Sequence, residues 1–207
     1  SASIDQLISG FAKYLFPKEN AELYFEYGWN DGSSNFRDLV LDMSHSAASI
    51  FGFRKLQVLN TKSYLKFEAE ATRMSQTPSY LQRNAGNWYI HSLLRDGYTN
   101  ENQILGAGSG IGNNVQTVSI SWNKGWTQYG IKFQHIAQNP TGIINILNPD
   151  GGSPNWNDYD YGLSIKEKFN NILLSINVDW VNSKNYLWKY DNSSSNLSIF
   201  FNAIYLW

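Results

Sequence analysis

The chain contains no cysteine, so it can carry neither a disulfide nor a thiolate metal site, a pattern compatible with a Gram-negative cell envelope. Its apolar residues never run uninterrupted for the ~18 positions a membrane-spanning helix needs, which excludes a helical membrane protein. No charge of one sign dominates, since 16 Lys and Arg stand against 17 Asp and Glu. Broad attraction to nucleic acid or anionic lipid is therefore not encoded, and no nucleic-acid partner is expected. His45, His91 and His135 are far apart, and none has a carboxylate or second imidazole at ligand spacing, so no metal site is expected. The stretch from Gly106 to Gly112 looks superficially like a phosphate-cradling loop but lacks the lysine and the following helix; it reads as a flexible turn. No serine or threonine stands in a nucleophile context, so neither catalytic residues nor a cofactor are expected. The opening Ser1-Ala2-Ser3-Ile4-Asp5 has no basic or apolar export region, and any secretion signal is expected to have been removed or to lie upstream.

What the chain has in excess is aromatic surface: 15% of residues, with 8 Trp and 13 Tyr, more than a soluble core uses. Ile4, Leu7, Ile8, Phe11 and Leu15 fall at helical spacing and Pro17 stops the pattern, which predicts a short amphipathic helix within residues 1–18. Residues 19–207 read as strands. Leu23, Phe25, Tyr27 and Trp29 alternate with Glu22, Tyr24, Glu26 and Gly28, and Leu65, Phe67, Ala69 and Ala71 alternate with Lys66, Glu68, Glu70 and Thr72. The same split recurs around Val118–Trp122, Tyr129–Phe133, Tyr159–Ile165, Ile172–Trp180 and Leu197–Trp207.

Alternation alone fits a soluble β-sandwich as well as a membrane barrel. Three features favour the barrel. Most runs are about 9–11 residues, enough for a tilted strand to cross a bilayer. Trp29, Trp122, Tyr129, Tyr159, Trp180, Tyr205 and Trp207 sit at the ends of the apolar faces, where barrels carry aromatic girdles. Short turns at Asn123-Lys124-Gly125, at Phe169-Asn170-Asn171 and near 56–61 alternate with long polar segments at 30–45, 138–157 and 182–196. The expected fold is all-β: a transmembrane antiparallel up-and-down β-barrel with a short amphipathic helix at its start. It has eight strands, or ten if 87–108 adds a hairpin, with the helix and the C-terminus on the periplasmic side of the outer membrane.

Phe25, Phe67, Ile120, Ile131, Leu163, Leu174 and Ile199 are expected to face lipid. The lumen is expected to receive Glu22, Glu26, Arg54, Lys66, Glu68, Glu70, Lys132, Asp160, Lys166 and Asp179. Mixed charges on facing strands pair most simply as structure; a charged lining also suits a pore for small solutes. Glu68 and Glu70 share a strand face, too common a pattern to indicate glycosidase chemistry. Trp156, Tyr186, Trp188 and Tyr190 stand among Asn, Asp and Ser in the long segments. Such rings can stack on sugars while the amides and hydroxyls bond their oxygens, or can simply pack the loops. The final Trp207 is expected to end the last strand, where an aromatic residue would be read by the barrel-insertion machinery.

Several blocks resemble a known family. Asp5-Gln6-Leu7-Ile8-Ser9-Gly10-Phe11, Tyr14-Leu15-Phe16-Pro17-Lys18 and Ala21-Glu22-Leu23-Tyr24-Phe25-Glu26-Tyr27-Gly28 are similar to a passage of the capsule-assembly Wzi family. Arg37-Asp38-Leu39, His45-Ser46 and Gly52-Phe53-Arg54-Lys55-Leu56 continue the resemblance, followed by Trp88-Tyr89-Ile90-His91, Gly97-Tyr98-Thr99-Asn100 and Gln103-Ile104-Leu105-Gly106-Ala107. The resemblance implies a non-enzymatic, lectin-like outer-membrane protein acting in capsular polysaccharide assembly or attachment. It also implies a larger barrel, of which this chain is a C-terminal portion without the preceding strands.

Overall fold

Residues alternating between apolar and polar along an extended backbone give a ribbon with two unlike faces, and such ribbons pair so that like faces coincide. A computed structural model describes residues 7–30, 44–77, 88–89, 99–100, 103–104, 106, 108–140 and 154–207. Its strands are β1 (Leu7–Phe16), β2 (Ala21–Asn30), β3 (Ala47–Asn60), β4 (Ser63–Arg73), β5 (Thr99–Asn100), β6 (Gln103–Ile104), β7 (Asn114–Lys124), β8 (Thr127–Ala137), β9 (Asn157–Phe169), β10 (Ile172–Lys184) and β11 (Ser193–Tyr205). A single antiparallel up-and-down sheet of nine strands runs β1-β2-β3-β4-β7-β8-β9-β10-β11. Its outer strands do not pair with each other, so the sheet is not closed.

Register carries each face intact across the sheet. One row of directly opposed residues reads Tyr14, Leu23, Phe53, Ala69, Val118, Phe133, Tyr161, Trp180, Leu197. The adjacent row on the other face reads Lys13, Tyr24, Gly52, Glu70, Thr117, Gln134, Asp160, Val181, Asn196.

Short connections of residues 17–20, 61–62, 125–126 and 170–171 lie at one end of the sheet. At the other end are the connections 31–46, 74–113, 138–156 and 185–192. Gly125, at φ 56, makes the two-residue turn between β7 and β8 where that hairpin was expected. The C-terminus lies at the short-turn end, as expected, since the Leu206 N–H bonds Asn171 O at 2.7 Å. The last long connection is shorter than the sequence suggested, because β10 continues to Lys184 and β11 begins at Ser193.

The expected N-terminal helix is overturned. Residues 7–16 form β1, ten residues paired in unbroken register with β2 from Leu7↔Asn30 to Phe16↔Ala21. This edge strand is apolar on both sides, with Ile8, Tyr14 and Phe16 on one and Leu7, Phe11 and Leu15 on the other. Its period of two is lost, and the remaining apolar positions imitate a helix. The ladder to β2 overrides that local signal. Pro17–Glu19 form a single 3-10 turn, and Asn20 in the left-handed region (φ 50) redirects the chain into β2. Residues 1–6, including Ile4, lie outside the described residues. The boundary expected at residue 18 is therefore a turn inside the sheet. Leu7 starts at the long-connection end and only Phe16 reaches the short-turn end.

With β1 included, the main sheet has nine strands among the described residues, within the expected range of about eight to ten but odd where an even number was expected. Within 87–108 the pairing among the described residues is the two-residue ladder β5–β6, a sheet separate from the main one; the rest of the expected hairpin lies outside the described residues. Part of this long connection returns to the sheet: Met74, Trp88 and Tyr89 form a buried cluster against Leu7 and Ala48.

Candidate functional site

The two faces are exposed in the reverse of the soluble order. Leu163 is 57% and Ile199 64% exposed, whereas Thr72 and Asp160 on the opposite face are each 6% exposed. Phe25, Phe67, Ile120, Ile131, Leu163, Leu174 and Ile199 all lie on the apolar face. Of its charges, Arg73, Lys124, Glu167 and Lys184 stand at or near strand ends, whereas Lys55 lies within β3, in the register row of Phe67, Ile120, Ile131 and Leu163; from β7 to β11 the middle of the face carries no charge. Aromatic pairs flank that middle. Trp122 stacks on Tyr129 at 5.9 Å near the short turns, while Tyr161 lies 5.7 Å from Trp180, and Tyr27 4.6 Å from Trp29, towards the long connections. The Tyr129 hydroxyl donates to Glu167, which also accepts from Thr127 at 2.9 Å. Trp207 stands two residues beyond β11 rather than ending it, fully exposed and edge-on to Tyr205 at 5.3 Å.

On the polar face the structure brings together all the charges expected there. Glu22, Arg54, Glu68, Ser119, Lys132, Gly162 and Asp179 form one cross-strand row. At its β1–β4 end, Lys13 Nζ meets Glu22 at 2.9 Å, and Arg54 bonds Glu22 and Glu68 at 2.7 Å each; Lys66 meets Glu68 at 2.8 Å. At the other end Lys132 Nζ bonds Asp160 at 2.7 Å and Asp179 at 2.8 Å. Lys166 projects to within 5.9 Å of the Trp126 ring centroid. Glu26 has no ion pair or hydrogen bond among the described residues. Between the two groups, a space of about 400 Å³ is bordered by Ser119, Ser121, Asn177 and both lysines, Lys66 and Lys132.

Two glycines make these contacts possible. Lys132 and Asp179 belong to strands on either side of β9, both opposite Gly162. A Cβ there would lie 2.7 Å from Asp179 Oδ1 and 2.8 Å from Lys132 Cε. In the same way the Tyr24 ring lies across Gly52 of β3, and its hydroxyl donates to Glu70 at 2.5 Å. Sequence reasoning missed these spacers, although a glycine at an alternate position of a charged strand face was the available signal.

Trp156, Tyr186 and Trp188 meet at the long-connection end. Trp156 is edge-on to Tyr186 at 5.0 Å and to Trp188 at 4.8 Å. The Trp156 indole N–H donates to Asp158 at 2.6 Å, and the Trp188 N–H to Gln138 O at 3.2 Å. Asp158 is saturated, accepting also from Ser183 at 2.5 Å and Gln138 at 2.7 Å, which ties the rings to β9 and β10. Tyr190 is exposed and outside the cluster. Leu187 (φ 57) and Trp188 (φ 53) are in the left-handed region, a conformation that costs bulky residues ~1–2 kcal/mol each. His135, on the apolar face, is held between Gln116 and Asn157 at 2.9 Å each; His91 lies outside the described residues. No group of His, Cys, Asp and Glu suited to a metal ion occurs among the described residues. No family model, curated protein or solved structure matches the chain.

Proposed function

We propose that the chain is part of the wall of an integral outer-membrane β-barrel that acts, without enzymatic chemistry, in capsular polysaccharide assembly or attachment at the cell surface. The observation that carries the membrane reading is the inverted exposure of the sheet: an exposed apolar face whose middle is free of charge from β7 to β11, and an ion-paired polar face opposite it. Soluble monomers rarely expose a contiguous apolar face that includes residues such as Phe25, Val118, Ile131, Leu163 and Ile199, each more than 40% exposed; against lipid tails it is matched. A 13-residue strand such as β9, rising ~3.3 Å per residue and tilted by ~45°, crosses ~30 Å, the thickness of the hydrocarbon core. The lipid bilayer and the barrel-insertion machinery are then its partners, and the long connections are extracellular.

The polysaccharide reading rests on the resemblance to the Wzi family and on the loop aromatics. Trp156, Tyr186 and Trp188 are half-buried, fixed from below through Asp158 and edged by Asn155, Asn185 and Asn192. Rigid rings beside amides are what a sugar chain needs for stacking and hydrogen bonding. The Trp156→Ala/Trp188→Ala double mutant should bind isolated capsule about fivefold or more weakly, at ~0.5–1.5 kcal/mol per ring, while inserting normally. Unchanged affinity in a correctly inserted barrel would remove these loops from the proposal. The charged polar face favours a second reading, a pore for small solutes. Stepwise conductance in a planar bilayer, reduced by changing Lys132, would favour it.

A further inference from the structure

At the long-connection end, a cavity of about 460 Å³ lies between the polar face of β1–β3 and the segment that returns over it. This is within the ~300–1,000 Å³ of ordinary small-ligand sites. Glu26 and Ser9 border it on the sheet side, and Met74, Trp88 and Tyr89 on the other. The Trp88 ring covers Gly28, next to Glu26 on the same strand face, where an added Cβ would lie 3.0 Å from the indole.

Glu26 is the charged residue among the described lining, and it stands in an apolar row, opposite Phe11 on β1 and Ile50 on β3. The nearest cation by register, Lys13, is engaged with Glu22 at 2.9 Å. The other acids of this face have partners among the described residues: Glu22, Glu68, Asp160 and Asp179 each hold a Lys or Arg within 2.9 Å, Glu70 accepts from the Tyr24 hydroxyl, and Asp158 from Trp156, Ser183 and Gln138. A half-buried carboxylate that has no counter-charge among the described residues, beside an indole and a phenol, is complementary to one kind of group. A compact organic cation meets the carboxylate on one side and aromatic π-faces on the other, whereas a hydrated metal ion would gain nothing from the rings.

We propose that this cavity binds a small solute carrying a single organic ammonium group, with Glu26 as its counter-ion and Trp88 and Tyr89 as its aromatic walls. The site is separate from the loop aromatics and does not depend on the polysaccharide reading.

Choline and its uncharged carbon isostere 3,3-dimethylbutan-1-ol are the probes, titrated calorimetrically into the detergent-solubilised full chain. Choline should bind saturably and about tenfold more tightly than the alcohol, the size of a desolvated cation–π and ion contact. Glu26→Gln, isosteric at a position without a protein partner, should retain the strand circular dichroism and lower choline affinity to that of the alcohol. Binding should change tryptophan emission in the parent and not in Trp88→Phe. The proposal is overturned by absence of saturable choline binding, by equal affinity for the two probes, by a folded Glu26→Gln that binds choline as the parent does, or by an emission change that survives Trp88→Phe.

Discussion

Gly52 and Gly162 show how a residue without a side chain can determine an electrostatic contact. In each row the flanking strands meet above the glycine: Tyr24 with Glu70 across Gly52, and Lys132 with Asp179 across Gly162. Gly162→Val should force Lys132 and Asp179 apart and destabilise the protein by about 1–3 kcal/mol, the usual cost of overpacking plus a broken polar contact. Urea unfolding of the detergent-solubilised variant measures it, and parent-like stability would mean that the spacer does not matter. The charges themselves were legible, because Glu22, Arg54, Glu68, Lys132 and Asp179 occupy alternate positions opposite apolar ones. Their partners were not, since pairing depends on register between strands separated by connections of very different length. The aromatic loop residues were legible as candidates, but the clustering of Trp156 with Trp188 and the separation of Tyr190 follow from the 185–192 turn, whose left-handed residues include Leu187 and Trp188. Neither residue type announces that backbone.

Interior strands were legible because the middle of one face is apolar; β7 to β10 alternate there, with Gln116, His135, Glu167 and Lys184 lying towards the strand ends. β1 was not, for the physical reason that an edge strand with apolar residues on both sides has no two-residue period to read. The alternation itself makes a sharp prediction at neighbouring positions of β9 and β10. Leu163→Arg would place a cation in the middle of the apolar face, which carries none from β7 to β11, and should cost about 2–4 kcal/mol at mid-depth in a bilayer. Asn177→Arg, on the exposed part of the polar face, should cost well under half of that. Folding into lipid vesicles under urea distinguishes them. Equal costs would contradict the assignment of the two faces to lipid and to a polar interior.

For the whole molecule, the order of strands after β1, the placement of short turns at one end and the position of the C-terminus were legible from spacing alone, because an antiparallel meander leaves few alternatives once its turns are identified. If insertion machinery reads the terminal aromatic, deleting Trp207 should slow assembly in cells without altering the folded sheet, since the residue lies beyond β11 and is fully exposed. Membrane fractionation with protease protection measures this, and normal assembly of the deletion would count against that role. The number nine has its own consequence. Successive antiparallel strands reverse direction, so β1 and β11 point the same way. Were these two edges to meet, the seam would be the one parallel junction in the sheet. Copies inserted with the same polarity would face the same conflict, β11 of one beside β1 of the next, so repetition of the unit cannot cure it. A wall that is antiparallel throughout requires an odd number of intervening strands, whichever polypeptide supplies them, and parity thereby restricts what can complete this sheet before any side chain is considered.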